Sequence, residues 1–303
     1  MATTTPKKRK QLTERQEMKK DAGRDMSVYK ADDMIQKGRH KLSKQEYRAV
    51  LYAISKVKPT DTVFEEYTFD LSDLYTICGI QKESYTELKN ILIGLKMKCW
   101  WMPMKDNPDV ESAVCWFNTV RTNKRSGKVT IKFHEDMMPY LLELTGRDDF
   151  YTGYNLRYIL PMDSQFGPRL YELLKSYQKN NIKWFFEVEK LKWLLGAENY
   201  TNFKDFRLRV LEPAVADINT YSDLTIAYHE ERGTGRGRPV ERITFAMFEK
   251  KPKALRAARD AGERKMDGET DPMEEIAAHH EDEREQQFSL FIRENMKKDG
   301  GDE

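Results

Sequence analysis

At 303 residues, 39% hydrophobic and 34% charged, the chain has room for two compact domains plus tails, with much solvated surface. Three cysteines exclude a disulfide framework, and Cys78, Cys99 and Cys115 show no paired metal-ligand spacing; a reducing cytoplasm with cysteines as small core residues is expected. No apolar run is long enough to span a bilayer, so no membrane association is expected. The formal net charge of +2 conceals an asymmetry: Asp267 to Glu303 carries thirteen acidic and four basic residues, a net −9, leaving +11 on the rest. A basic body points to a polyanionic partner.

Residues 1–26 read as a disordered basic arm, where Lys7-Lys-Arg-Lys10 has no apolar period behind it. The cluster either slides along phosphates or only keeps the arm solvated. Order is expected from Ser27. Ser43-Lys-Gln-Glu46 matches a capping box opening a helix with Tyr47, Val50, Leu51 and Ile54 on one face. Tyr67–Asp70 reads as a strand, followed by a helix through Leu71, Leu74 and Ile77 that Gly79 ends. Ser84 is placed to cap a longer helix burying Leu88, Ile91, Leu92 and Leu95. Cys99–Met102 and Val114–Val120 read as strands. The second turns through Arg121-Thr-Asn-Lys-Arg-Ser-Gly-Lys128 into Val129–Phe133, a hairpin with a basic tip. A helix at Met137–Leu144 closes this first unit.

The same order then returns. Ser164 or Pro168 starts a helix containing Leu170, Leu173, Leu174 and Tyr177; Trp184–Val188 is a strand; a helix through Leu191, Leu194 and Leu195 ends at Gly196. In Tyr200–Ile218, the residues Phe203, Phe206, Val210, Ala214 and Ile218 recur at three- and four-residue steps on one helical face. Thr201 or Asn202 caps it, and Lys204, Arg207 and Arg209 project from its opening turns, although Asp205 sits among them and Pro213 interrupts the helix. Strands Leu224–Tyr228 and Ile243–Met247 flank a Gly/Arg-rich connection with Arg232, Arg236 and Arg238.

Gly79 and Gly196 are 117 residues apart, while Leu88 and Phe206, and Leu92 and Val210, are each 118 apart, so several independent segments agree on a duplication. Helix, strand, helix, helix and hairpin is the order of a winged helix. The fold class expected is therefore α+β and helix-rich: two tandem winged-helix domains related by internal duplication, with disordered N- and C-terminal arms. Expected boundaries are 27–150, 151–250 and a flexible tail at 251–303.

Ser27–Gly38, Leu42-Ser-Lys-Gln-Glu-Tyr47, Gln165-Phe-Gly-Pro-Arg-Leu-Tyr-Glu-Leu-Leu174 and Phe203–Asn219 give the chain a family likeness. Over residues 27–250 it resembles the replication initiator (Rep) proteins of theta-replicating, iteron-containing bacterial plasmids. The resemblance implies two winged-helix domains, monomers that bind directly repeated iterons, and dimers paired through the N-terminal domain that repress their own gene at an inverted operator. It implies double-stranded DNA as partner, no cofactor, a bacterial cytoplasm, and host helicase, host initiator and sliding clamp as further partners. Carried onto this chain, the second recognition helix is Asn202–Asn219 with Lys204, Arg207 and Arg209, and Arg169 is a phosphate clamp. The N-terminal counterpart is Ser84–Lys98, with Lys82, Ser84, Tyr85 and Lys89 as contacts. Arg121, Lys124 and Arg125 on the first hairpin, and the arginines of the second, would meet phosphates.

Pro252–Lys265 reads as a short exposed basic helix. In the acidic tail, Gln287, Phe288, Ser289, Leu290 and Phe291 resemble the peptide by which bacterial proteins dock on the sliding clamp, with Phe288 where Leu is usual. The alternative is an amphipathic helix over Phe288–Met296. No phosphate-binding Gly-x-x-x-x-Gly-Lys-(Ser/Thr) loop is present, the five histidines are scattered, and no metal site accompanies any tyrosine, so an enzyme is not expected. A transcriptional repressor without an initiator role is the alternative function, and a nicking relaxase a remoter one.

Overall fold

The structure, a computed structural model, describes residues 26–268 except 82, 83, 105, 106, 108, 147–149, 180 and 236. The basic arm, the clamp-like peptide, Lys82 and Arg236 therefore lie outside the described residues. The chain divides into two compact units, one holding the described residues up to 34 and 40–160, the other 35–39 and the described residues from 161 onward.

In the first unit the elements in order are β1 (Ser27–Ala31), α1 (Asp32–Lys37, whose last residues belong to the second unit), α2 (Lys44–Ile54), β2 (Tyr67–Asp70), α3 (Leu71–Cys78), α4 (Tyr85–Met97), β3 (Cys99–Pro103), β4 (Glu111–Cys115), β5 (Phe117–Asn123), β6 (Lys128–Phe133), α5 (Met138–Leu141) and β7 (Tyr151–Asn155). The capping box is formed: the Glu46 backbone N–H donates to Ser43 Oγ at 3.2 Å, and the Ser43 N–H to Glu46 Oε2 at 2.7 Å. Lys98, just past α4, also donates to Glu46. Glu46 thus ties the start of α2 to the end of α4. Gly94 lets the two helices approach, since a Cβ there would lie 2.6 Å from Glu46 Oε1.

The second unit contains α6 (Gly167–Gln178), β8 (Lys183–Glu187), α7 (Val188–Leu195), α8 (Phe203–Phe206), a π-helical turn (Arg207–Leu211), α9 (Glu212–Tyr221), β9 (Leu224–Arg232), β10 (Val240–Glu249) and α10 (Pro252–Met266). Its plan repeats that of the first. Both three-stranded sheets are antiparallel with the last strand in the middle, β2-β6-β5 and β8-β10-β9. α3 and α7 both stop at a left-handed glycine, Gly79 at φ 68° and Gly196 at φ 69°, a conformation that costs glycine no Cβ clash. The first unit differs by inserting the β3–β4 hairpin between its long helix and its wing.

Several expectations need correction. The strand expected at Val114–Val120 splits at Trp116, because β4 pairs with β3 while β5 pairs with β6. The closing helix at Met137–Leu144 contracts to α5 between two 3-10 turns. Residue 151, the expected start of the second domain, opens β7, which pairs with β1 in the first unit. Cys99 and Cys115 are not core residues but cross-strand partners joined by a disulfide; Cys78 is the core cysteine, its thiol pushed up to about 12 by burial. α10 is not wholly exposed: Ala258 and Ala261 are buried, and Lys265 reaches Asp163 and Tyr221 Oη.

Candidate nucleic-acid interface

In the second unit, the helical rod 203–221 begins where the Asn202 side chain accepts a hydrogen bond from the Lys204 N–H at 2.8 Å, so Asn202 rather than Thr201 is the cap. Phe206, Val210, Ala214 and Ile218 are fully buried, as the spacing predicts. Leu211 is buried as well, and Phe203 only half-buried. The cause is the π-helical turn. Pro213 has no N–H, and its ring would collide with the carbonyl of Arg209 in a regular α-helix. The chain instead widens by one residue, and the Glu212 N–H reaches back to the Arg207 carbonyl.

That widening decides where Arg207 goes. Residues five apart on an α-helix point about 140° from each other, whereas a π turn brings them over one another. Arg207 Nε lies 3.5 Å from Glu212 Oε1, and Arg207 Nη1 lies 3.4 Å from Glu230 Oε1 on β9. Arg207 is therefore half-buried and links the helix to the wing. Burial pushes the Tyr228 hydroxyl up to about 12, with Glu212 and Glu230 adding to the rise and Arg207 opposing it. Lys204 and Arg209 stay exposed on the outer side, with Leu208 between them, 45% exposed.

The wing is the β9–β10 hairpin. Its tip closes through the Gly233 N–H to the Pro239 carbonyl at 2.9 Å, and both Gly237 (φ 82°) and Arg238 (φ 43°) take left-handed backbone. Arg232 and Arg238 are exposed there; Arg232 lies 3.7 Å from Glu230 and 3.4 Å from the Arg238 carbonyl.

The first unit joins helix to wing differently. Tyr85, at the start of α4, hydrogen-bonds through Oη to Thr122 Oγ1 on β5 at 2.8 Å. Lys89 of the helix and Lys124 of the wing tip both approach the Tyr85 ring, at 5.8 and 5.5 Å from its centroid. Lys124 and Arg125 are exposed, and exposed Arg121 pairs with Glu66 at 2.8 Å. Ser84 occupies the N-cap position without a side-chain capping bond.

Arg169 is a correction. It is buried, and its Nη2 donates to the carbonyls of Ile35 and Gly38 at 2.6 and 2.5 Å. It staples segment 35–39 to α6 inside the second unit and is shielded from solvent. Glu212 and Glu230, which hold Arg207, had no signal in sequence: their link depends on the π turn and on strand register. Among the described residues no group of three His, Cys, Asp or Glu side chains is placed to hold a metal, and no helix is long and apolar enough to cross a membrane.

A helix and a basic hairpin, joined by side chains and present twice, define a tandem winged-helix DNA-binding protein. Two family descriptions match in order: "Initiator Replication protein, WH1" over residues 27–175 and "Initiator Rep protein, WH2" over residues 187–247. The chain belongs to this family, the Rep initiators of theta-type plasmids. It is 25% identical to a "Replication initiation protein" of Escherichia coli over 82% of this chain and 78% of that one. It is 26% identical to the "PI protein" of Escherichia coli over 39% of this chain and 43% of that one. Among solved structures it resembles the Pi initiator protein crystallised in complex with iteron DNA, at a TM-score of 0.61 and 18% identity, covering 75% of this chain and 99% of that chain.

Proposed function

We propose that this protein starts plasmid replication by binding directly repeated iterons at its origin, using the helix and wing of each unit. The supporting observation is that both units fasten helix to wing by direct side-chain contact, Tyr85 to Thr122 in one and Arg207 to Glu230 in the other. Each unit thus offers a preset surface rather than a helix and a hairpin that must find each other on DNA. In the second unit Lys204 and Arg209 read base edges, Leu208 meets thymine methyl groups, and Arg232, Arg236 and Arg238 grip phosphates. In the first, Tyr85 and Lys89, with Lys82 and Ser84, face the groove, and Arg121, Lys124 and Arg125 hold the backbone.

The same reading makes monomers the origin-binding form and dimers, paired through the first unit, the repressor of the protein's own gene. It places the protein in the bacterial cytoplasm, meeting host initiator and helicase once the origin opens. Gln287–Phe291 docks on the sliding clamp, with Leu290 and Phe291 filling an apolar pocket; loss of clamp capture on changing both to alanine is the expected result. The experiment for the whole reading is transformation with a plasmid carrying only this gene and its flanking DNA. Replication that disappears with Lys204→Ala and Arg209→Ala supports an initiator, whereas repression of the gene without replication would leave only a transcriptional repressor.

A further inference from the structure

Cys99 and Cys115 face each other across the first pair of the β3–β4 ladder, with Cα atoms 4.2 Å apart. Cys99 is exposed and Cys115 half-buried. The second unit runs from its long helix straight into its wing; the first detours through this hairpin. The detour leaves from Lys98, which ends α4, and returns through Trp116 to Phe117, which begins the wing strand β5. A bond between Cys99 and Cys115 therefore clamps the end of the DNA-facing helix to the start of the wing. Without it, the base of this two-stranded ribbon is held by its ladder and by its inner face, where Trp100, Met102 and Val114 are buried. At its base Trp100 packs against Trp116 with centroids 4.5 Å apart, His40 lies 5.8 and 5.3 Å from the two, and the Trp116 carbonyl accepts from the His134 N–H at 3.0 Å.

We propose that Cys99 and Cys115 form a reversible thiol–disulfide site that fixes the hairpin base when oxidised and loosens it when reduced. In the bacterial cytoplasm to which the functional reading assigns the protein, disulfides are transient and redox-responsive rather than permanent. The exposed Cys99 is the accessible nucleophile and Cys115 the resolving thiol across the ladder. The oxidant is a low-molecular-weight disulfide such as glutathione disulfide. The Cys99 thiolate attacks one of its sulfurs, forming a mixed disulfide and expelling one glutathione thiolate. The Cys115 thiolate then attacks the Cys99 sulfur, expelling the second. The two protons lost by the cysteines end on the two glutathiones, and the two electrons reduce the oxidant. Cys78, 1% exposed with its thiol pushed up to about 12, takes no part.

The test uses the full chain equilibrated in glutathione buffers of rising oxidised fraction, quenched with acid, unfolded, alkylated and weighed, with peptides mapped. Reduced protein should take up three alkyl groups and oxidised protein one, at Cys78, in a single step reversed by dithiothreitol. C115S should stop as a glutathione adduct at Cys99. Hydrogen exchange of the 99–115 segment should rise about tenfold on reduction, as expected when a loop closure is released, while α6 stays unchanged. Three reactive thiols surviving glutathione disulfide, a glutathione adduct at Cys99 that Cys115 fails to resolve, or hairpin exchange indifferent to redox state would each overturn the proposal. None of these readouts involves DNA, so they stand or fall apart from the initiator reading.

Discussion

Arg207 Nη1 sits 3.4 Å from Glu230 Oε1, joining the long helix of the second unit to its wing. The pair aligns two elements that must meet the same duplex, yet it also holds the guanidinium away from DNA. Glu230→Gln removes that competitor and a negative charge from the surface. Affinity for DNA should increase several-fold at low salt, with the gain shrinking as salt screens it. Arg207→Ala should weaken binding to the specific site far more than to random DNA, because the alignment that lets Lys204 and Arg209 reach base edges is lost, a cost of about 1–3 kcal/mol. Fluorescence anisotropy on specific and scrambled duplexes measures both. Equal losses on the two duplexes would remove Arg207 from sequence reading.

Pro213→Ala should alter recognition while leaving the fold standing. Alanine restores an N–H and removes the ring, so the Arg207–Leu211 turn is free to become α-helical and the opening residues rotate by about 100° per residue removed from the bulge. Lys204 and Arg207 would then point elsewhere. Specific affinity is expected to drop at least tenfold with no fall in melting temperature; unchanged specificity would mean the π turn has no bearing on DNA.

Arg169→Ala should act on stability alone. Its partners are the carbonyls of Ile35 and Gly38, and Glu172 beside it is fully buried at an Nη1–Oε2 distance of 3.8 Å. Removing the guanidinium takes a donor from both carbonyls and a positive charge from beside Glu172 in a low-dielectric interior, and should cost about 3 kcal/mol. Urea unfolding reads this directly, and DNA affinity per folded molecule should not move.

In the first unit, Tyr85→Ala removes the ring beside Lys89 and Lys124 and the bond to Thr122. The wing tip loses its anchor to the helix, so the slope of log affinity against log salt should fall by about one phosphate contact. Tyr85→Phe, which keeps the ring, should lie between this variant and the parent.

Asp217 accepts a hydrogen bond from the Ser164 N–H at 2.6 Å, yet burial raises its pKa above the usual 3.8 against the opposing pull of that bond and of Lys265. A raised folded-state value means the folded protein holds the proton more tightly than the unfolded one. The associated stability is complete below pH 3.8 and is lost as pH rises through the raised value. Asp217→Asn should abolish that part of the pH dependence, seen as a flatter difference in unfolding free energy over the weakly acidic range.

The repeat was legible because local signals carry it. Gly79 and Gly196 end equivalent helices, Ser43 and Glu46 close a capping box, and the apolar steps from Phe206 to Ile218 mark the buried face of the long helix. What depended on the third dimension was not legible. Pro213 announced an interruption but not that the helix would absorb it as a π turn, bury Leu211 and swing Arg207 onto Glu212. Arg169 looked like a phosphate ligand because nothing local reveals that segment 35–39 folds back over it. Cys99 and Cys115 are sixteen residues apart with no spacing motif; only the β3–β4 register brings them together.

A footprint of the full chain on DNA flanking its own gene tests the central claim most directly. The account predicts protection of each direct repeat, at physiological salt and by monomers, with protection of the repeats abolished by Lys204→Ala together with Arg209→Ala. Uniform, salt-sensitive coverage with no preference for the repeats would contradict it.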